Sequence, residues 1–230
     1  MSLWVPERAP AEEILDGDVP ADEAEASLSD IEWVHRNLGG RLILGRRLLP
    51  LLERTAGETG RRLSLLDLGC GSGHVGRDLV AAFGRRGKTL QVFGLDRKLT
   101  HARLAPRSLA AAGDALRLPF ADASVDVVFS TLFLHHFPEG QLRTILLESR
   151  RVAGKAVIAF DLSRHRVAHA LISLIGPLAF RTRISTLDGR ASVLAAWTRP
   201  EIASLARSVL PGATVRRAGP FVWQLVWTRP

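Results

Sequence analysis

The stretch Leu65–Gly76, LLDLGCGSGHVG, constrains this chain more than any other. A short apolar run stops at alternating glycines, and a helical pattern from His74 to Phe83 follows. The apolar run reads as a buried strand, and glycines just beyond it let the backbone turn with φ > 0 and pass close to a ligand. Strand, glycine turn and helix in that order open a parallel sheet covered on both faces. The rest of the chain keeps this rhythm. Strands are expected at Leu63–Leu68, Leu90–Leu95, Ser108–Ala112, Val125–Leu132 and Ala153–Phe160. Helices are expected at His74–Phe83, Lys98–Ala105, Glu139–Arg150 and Arg199–Val209, the last begun by a Thr-Arg-Pro-Glu signal. Ala213–Ala218 and Phe221–Thr228 suit a closing antiparallel pair. The 230 residues, 47% of them hydrophobic, can bury the core of one such domain.

The N-terminal part differs from this core. Residues 1–28 form an acidic segment punctuated by Pro6, Pro10, Gly17 and Pro20, and are expected to be poorly ordered. A domain over 29–230 follows, opening with helices in 29–60 that can act as a lid. The first helix is expected from Ser29 or Asp30, and the second over Arg41–Arg54 with a kink at Pro50. Residues 7–32 carry ten of the 23 carboxylates and one arginine, so the remainder carries about +17 of the net +8. Only three of the 31 basic residues are lysine, and no basic run exceeds two. That pattern does not suit nucleic acid, which asks for a basic stripe with stacking aromatics. Cys70 stands alone, so no internal disulfide or cysteine-rich zinc site is expected, and no metal site is read elsewhere. No apolar run is long enough to span a membrane and the start lacks a secretory pattern, which fits a cytoplasmic setting.

The glycine loop supports two readings. Gly71, Gly73 and Gly76 fit the G-x-G-x-x-G of a dinucleotide-binding turn, whereas Asp67, Gly69, Gly71 and Gly73 fit D-x-G-x-G-x-G. Asp67 bears on the choice: a carboxylate beside the loop repels a pyrophosphate but accepts from an ammonium. S-adenosylmethionine offers an ammonium, a carboxylate and a sulfonium, and has no phosphate. Asp96 ends the second strand, where a carboxylate can accept both ribose hydroxyls of either cofactor. Asp114, after the third strand, is placed to accept from an adenine amino group.

Taken in order, LLDLGCGSG, VFGLD, GDALRLPFAD and VDVVFSTLFLHHF resemble the class I S-adenosylmethionine-dependent methyltransferases. The similarity is greatest to the branch with quinone-biosynthesis and small natural-product enzymes, and it covers about residues 63–160. It implies a Rossmann-like, seven-stranded, mostly parallel sheet whose last strand is antiparallel. It also implies that Asp67, Gly69, Gly71 and Gly73 surround the methionine part of S-adenosylmethionine. Asp96 would take the ribose, Asp114 and Ala115 the adenine, with Arg97 and Leu116 flanking the ring and Ser130 bordering the sulfonium. Relatives often place a tyrosine over the cofactor; this chain has none. Trp33, His35 or Arg36 on the first helix can cover the cofactor or simply pack on the sheet.

Histidines past the fourth strand, His135 and His136, are candidates to take a proton from a hydroxyl acceptor, or they shape the turn. His35, His165 and His169 are lesser candidates, while His74 and His101 read as exposed helix residues. Segment 161–197 is the expected acceptor-pocket region. It holds a helix with Val167, Leu171, Leu174, Ile175 and Leu178 on an apolar side, read either as core or as pocket wall. Arg181, Arg183, Asp188 and Arg190 are expected on a loop after it. Such a pocket suits a small organic acceptor, a phenol, quinone or polyketide-derived acid, with O-methylation favoured over C-methylation. Three alternatives stay open: a non-catalytic cofactor-binding partner protein, an NAD-dependent oxidoreductase and an RNA methyltransferase.

Overall fold

The computed structural model describes residues 4–9, 13–57, 62–98, 101 and 110–230. Strands β1 (Leu63–Leu68), β2 (Leu90–Asp96), β3 (Ala110–Ala112), β4 (Val125–Thr131), β5 (Ala153–Leu162), β6 (Thr214–Gly219) and β7 (Val222–Thr228) form one sheet in the order β3-β2-β1-β4-β5-β7-β6. The first five are parallel, and β7 runs antiparallel to both β5 and β6. The sequence-derived architecture is therefore the observed one. The expected helix at Lys98–Ala105 lies mostly outside the described residues.

Both faces of the sheet are buried at its centre, which is why β1, β4 and β5 read as near-continuous apolar runs. Residues of alternate parity on β1 serve different cores. Leu63 and Leu65 meet Val75, Leu79 and Phe83 of α4 (His74–Gly84) and Leu49 and Leu52 of α3 (Leu49–Ala56). Leu66 and Leu68 join Leu142, Ile145 and Leu146 of α5 (Glu139–Val152). Ile202, Leu205 and Ala206 of α8 (Arg199–Val209) complete that second core. Strand order reverses between β1 and β4, and at that switch point the carboxyl ends Leu68 and Ser130 stand opposite each other.

The N-terminal third departs from the sequence reading. Helix α1 spans Ala21–Asn37, so Asp30 does not begin it. Asp30 is buried in mid-helix and instead accepts from the backbone N–H groups of Arg181 and Thr182 and from the Ser185 hydroxyl. Its capping chemistry serves a different chain segment. The second helix runs unbroken from α2 (Gly40–Ile43) through a π turn at Leu44–Leu48 into α3, and the distortion expected at Pro50 falls in that turn. A proline has no N–H for the helical ladder, and helices commonly distort beside one.

Residues 161–197 also differ. Helix α6 covers Arg166–Ala179, and the expected arginine loop is a second helix, α7 (Arg183–Ala195). Thr182 caps α7, its hydroxyl accepting from Ser185 N–H at 3.0 Å. Buried Asp188 accepts from the N–H groups of Ile14 and Leu15 at 2.8 and 2.9 Å. That contact ties α7 to the acidic N-terminal segment, which lies across the sheet end as a strap. Lys98 holds the same strap, its ammonium donating to the Leu15 and Gly17 carbonyls.

Candidate active site

The carboxyl end of β1 runs into a loop in which Gly69, Gly71 and Gly73 have φ of 68°, 51° and 69°. A side chain at Gly69 is excluded twice over, since a Cβ would also fall 2.3 Å from the Phe133 ring. Helix α4 starts directly after Gly73 and points its N-terminus at the loop, a favourable end for a carboxylate. Leu28 of α1 lies over Gly71.

Asp67 lies beneath this loop and is 2% exposed. Its Oδ1 is buried with no hydrogen-bond partner among the described residues. Burial, aided by nearby Asp96, pushes its carboxyl up to about 8. An orphaned buried acceptor is costly and asks for a donor from outside the chain. An ammonium fits this need. A cleft of about 300 Å³ reaches Asp67, Cys70 and Gly73 from beside α4. Burial pushes the Cys70 thiol far up, so it stays protonated and is no nucleophile.

Asp96 ends β2. Its Oδ2 accepts from Gly71 N–H at 2.9 Å and its Oδ1 from Lys98 N–H at 2.9 Å. Each carboxylate oxygen has a second acceptor site, so the residue can take ribose hydroxyls while holding the loop. His101, read as exposed, is buried beside it with Nδ1 3.7 Å from Oδ1. Arg97 is exposed on the same turn. Asp114 is exposed and accepts from Leu116 N–H at 2.9 Å, with Ala115 buried between them. Ser130 is buried at the end of β4, and Leu132 just beyond it has φ 51°, a strained value outside glycine. The glycine loop and the ends of β2, β3 and β4 thus bring all ten expected cofactor residues to one edge of the sheet.

The lid residues separate. Trp33 and Arg36 are exposed, while His35 is buried edge-on to His74 at 5.1 Å between ring centres. Burial and the neighbouring His35 push His74 down to about 4. His35 is thus a packing residue against α4.

The histidine pair is more organised than its sequence suggests. His135 is fully enclosed: its Nδ1 lies 2.7 Å from Oδ1 of Asp161, and its backbone N–H donates to Oδ2 at 3.0 Å. Glu13 Oε1 stands 3.4 Å from Nε2. Burial opposes charge on this ring, but Asp161 and Glu13 outweigh it and raise its pKa to about 10. His136 stacks on His135 at 4.2 Å, is partly open, and has Nδ1 3.2 Å from Asp16 Oδ2. Arg8 lies 3.9 Å over the Trp197 ring and donates to the His135 and Phe137 carbonyls. Glu13, His135 and His136 are the one group among the described residues whose ligand atoms all lie within 4.8 Å. An imidazolium between two carboxylates accounts for that spacing by charge pairing.

Asp161, Glu13 and Asp16 were missed in the sequence. Asp161 had a readable signal, a lone acid at the tip of an apolar strand, as in β1 and β2; the other two had none. His165 caps α6, its Nδ1 accepting from Val167 N–H at 3.1 Å.

Residues 65–156 match the model of a family described as a methyltransferase domain. No curated protein sequence matches the chain. Among solved structures, the chain is similar to a SAM-dependent methyltransferase from Aquifex aeolicus, with TM-score 0.59, 15% identity and coverage of 92% of this chain and 99% of that one. It is similar to the plantazolicin methyltransferase BpumL, solved with a monoazolic desmethylPZN analog and SAH, at TM-score 0.63, 13% identity and 90% of each chain. It is also similar to magnesium protoporphyrin IX methyltransferase from Synechocystis PCC 6803 with bound SAH, at TM-score 0.56, 16% identity, 94% of this chain and 90% of that one. At such identities the likeness is one of fold.

Proposed function

We propose that this chain, which carries the class I S-adenosylmethionine-dependent methyltransferase fold, moves a methyl group from that cofactor to a small organic acceptor. The observation that carries the reading is the unpartnered Asp67 oxygen beneath the glycine loop, in line with Asp96 and Asp114 at the tips of neighbouring strands. When bound, the cofactor supplies an electrophilic methyl group on a sulfonium, so the protein's task is alignment and exclusion of water. Asp67 accepts from the ammonium and ionises as it does so. Asp96 accepts from the ribose hydroxyls and Asp114 from the adenine amine, with Ala115, Leu116 and Arg97 about the ring. Ser130 borders the sulfonium.

The favoured acceptor is a phenol, quinone or polyketide-derived acid, methylated on oxygen. The two histidines then divide the work. His135, charged and enclosed, faces the strap's Glu13 and, already protonated on both ring nitrogens, has no lone pair to take a proton. His136 is the better proton acceptor: Asp16 orients it through Nδ1, leaving Nε2 for the acceptor hydroxyl. The strap over residues 13–17 closes the acceptor side and keeps water from the methyl group.

The test is incubation with methyl-labelled S-adenosylmethionine and panels of phenols, quinones and polyketide acids, read by mass analysis. A labelled methyl ether or methyl ester on one class supports the reading. Label on carbon would overturn the oxygen assignment, and cofactor binding without turnover on any acceptor would favour a non-catalytic partner protein.

A further inference from the structure

The apolar side of α6 does not join the core. Val167, Leu171, Leu174, Ile175 and Leu178 are all exposed, Leu174 at 74% and Leu178 at 89%, and the one buried residue of the helix is Gly176. These positions follow a spacing of three and four, so they form one stripe about 16 Å long that faces solvent. The inner side is packed closely: added Cβ atoms at Gly176 and Gly189 would meet Thr186 and Ile172 at 3.0 and 2.5 Å, so α6 is seated on α7 and its outward face is fixed.

The exposed charge in the chain flanking the stripe is of one sign. Residues 162–187 contain no Asp or Glu and four arginines. Arg164 is buried and paired with Glu201, but Arg166 at one end and Arg181 and Arg183 at the other are exposed, with no carboxylate partner among the described residues. At the Arg166 end, the Trp4 carbonyl accepts from Arg166 N–H, and the Trp4 ring, 62% exposed, stacks on His165.

We propose that α6 is an interfacial helix that seats the protein on an anionic lipid surface. An apolar stripe, arginines at its margins and a tryptophan at its end are the features such a surface takes up, the leucines entering the acyl boundary and the guanidinium groups meeting lipid phosphates. A second copy of the chain fits less well. A two-fold contact places the same patch against itself, and both ends of this patch are positive, so any self-pairing of the stripe sets arginine against arginine. The proposal stands on α6 and the residues at its ends and does not depend on the methyl-transfer reading.

Sedimentation of the full chain with vesicles of phosphatidylcholine alone, or mixed with phosphatidylglycerol, tests it. Binding is expected to the mixed vesicles and to weaken by about fivefold for each arginine removed in R181A and R183A. L174E/L178E is expected to lower binding by about tenfold or more, with unchanged thermal unfolding because both leucines are exposed. Absence of binding to the anionic vesicles overturns the proposal, as does binding that L174E/L178E leaves intact. A lipid-free dimer that the same double substitution dissociates would also overturn it, and would assign the stripe to a second copy.

Discussion

The two halves of the sheet's carboxyl edge are built in different ways. On the cofactor half, each acid ends its own stretch of chain and is held mostly by near neighbours, Lys98 N–H on Asp96 and Leu116 N–H on Asp114, with Gly71 N–H on Asp96 the one longer reach. On the acceptor half, partners come from remote segments: Glu13 on His135, Ile14 N–H on Asp188, Arg181 N–H on Asp30. The first half is a set of turns that any neighbouring sequence can carry. The second exists only when the chain has closed on itself. The cofactor half therefore depends less on distant closure than the acceptor half, the two meeting where Lys98 holds the strap.

The largest effect that would sharpen this contrast is expected from D161N. Removing one charge of a buried pair leaves the other uncompensated and costs about 3–5 kcal/mol of stability. Denaturant unfolding should show it. The pH dependence has a definite sign. His135 is raised from 6.5 to about 10, so its stabilising charge is fully present below pH 6.5 and lost as pH climbs toward 10. H135Q should lack that alkaline decline; a decline identical to the parent's would break the assignment.

D96A should act on the other half. Loss of charged hydrogen bonds should weaken cofactor binding by about 1–3 kcal/mol in calorimetry. Unchanged affinity would contradict the ribose role. The smallest effect is expected from E13Q, which keeps the strap's shape while removing its charge. It should cost no more than about 1.5 kcal/mol, raise the acceptor KM, and leave cofactor affinity alone. A change confined to cofactor affinity would erase the distinction between the halves.

Legibility followed the same divide. The succession of strands, the glycine turn and the positions of the three acids could be read because each is a local pattern complete within a few residues, while the seven-stranded arrangement came from the family resemblance. Helix α7 could not, because Asp188 and Gly189 are poor helix residues and the helix is stabilised by the Thr182 cap and by Asp188 reaching the strap. Likewise α1 begins at Ala21 because Ala24 and Leu28 pack with Leu15 and Ile184, a contact with no local signature. The stripe on α6 had the right periodicity, but periodicity names an apolar face without saying what meets it. The enclosed His135 escaped for a related reason: the double histidine was visible, its two carboxylates were not.

The central claim is that Asp67 waits, protonated, for the ammonium of S-adenosylmethionine. With its carboxyl raised to about 8 by burial, it should be largely neutral at pH 7 and ionise on pairing. Calorimetric titration with S-adenosylmethionine in two buffers of different ionisation enthalpy measures the proton count directly. The account predicts saturable binding with net proton release, and affinity that rises with pH by at most about tenfold per unit until near pH 8. Binding with no proton release, or heat from NAD and none from S-adenosylmethionine, would contradict it.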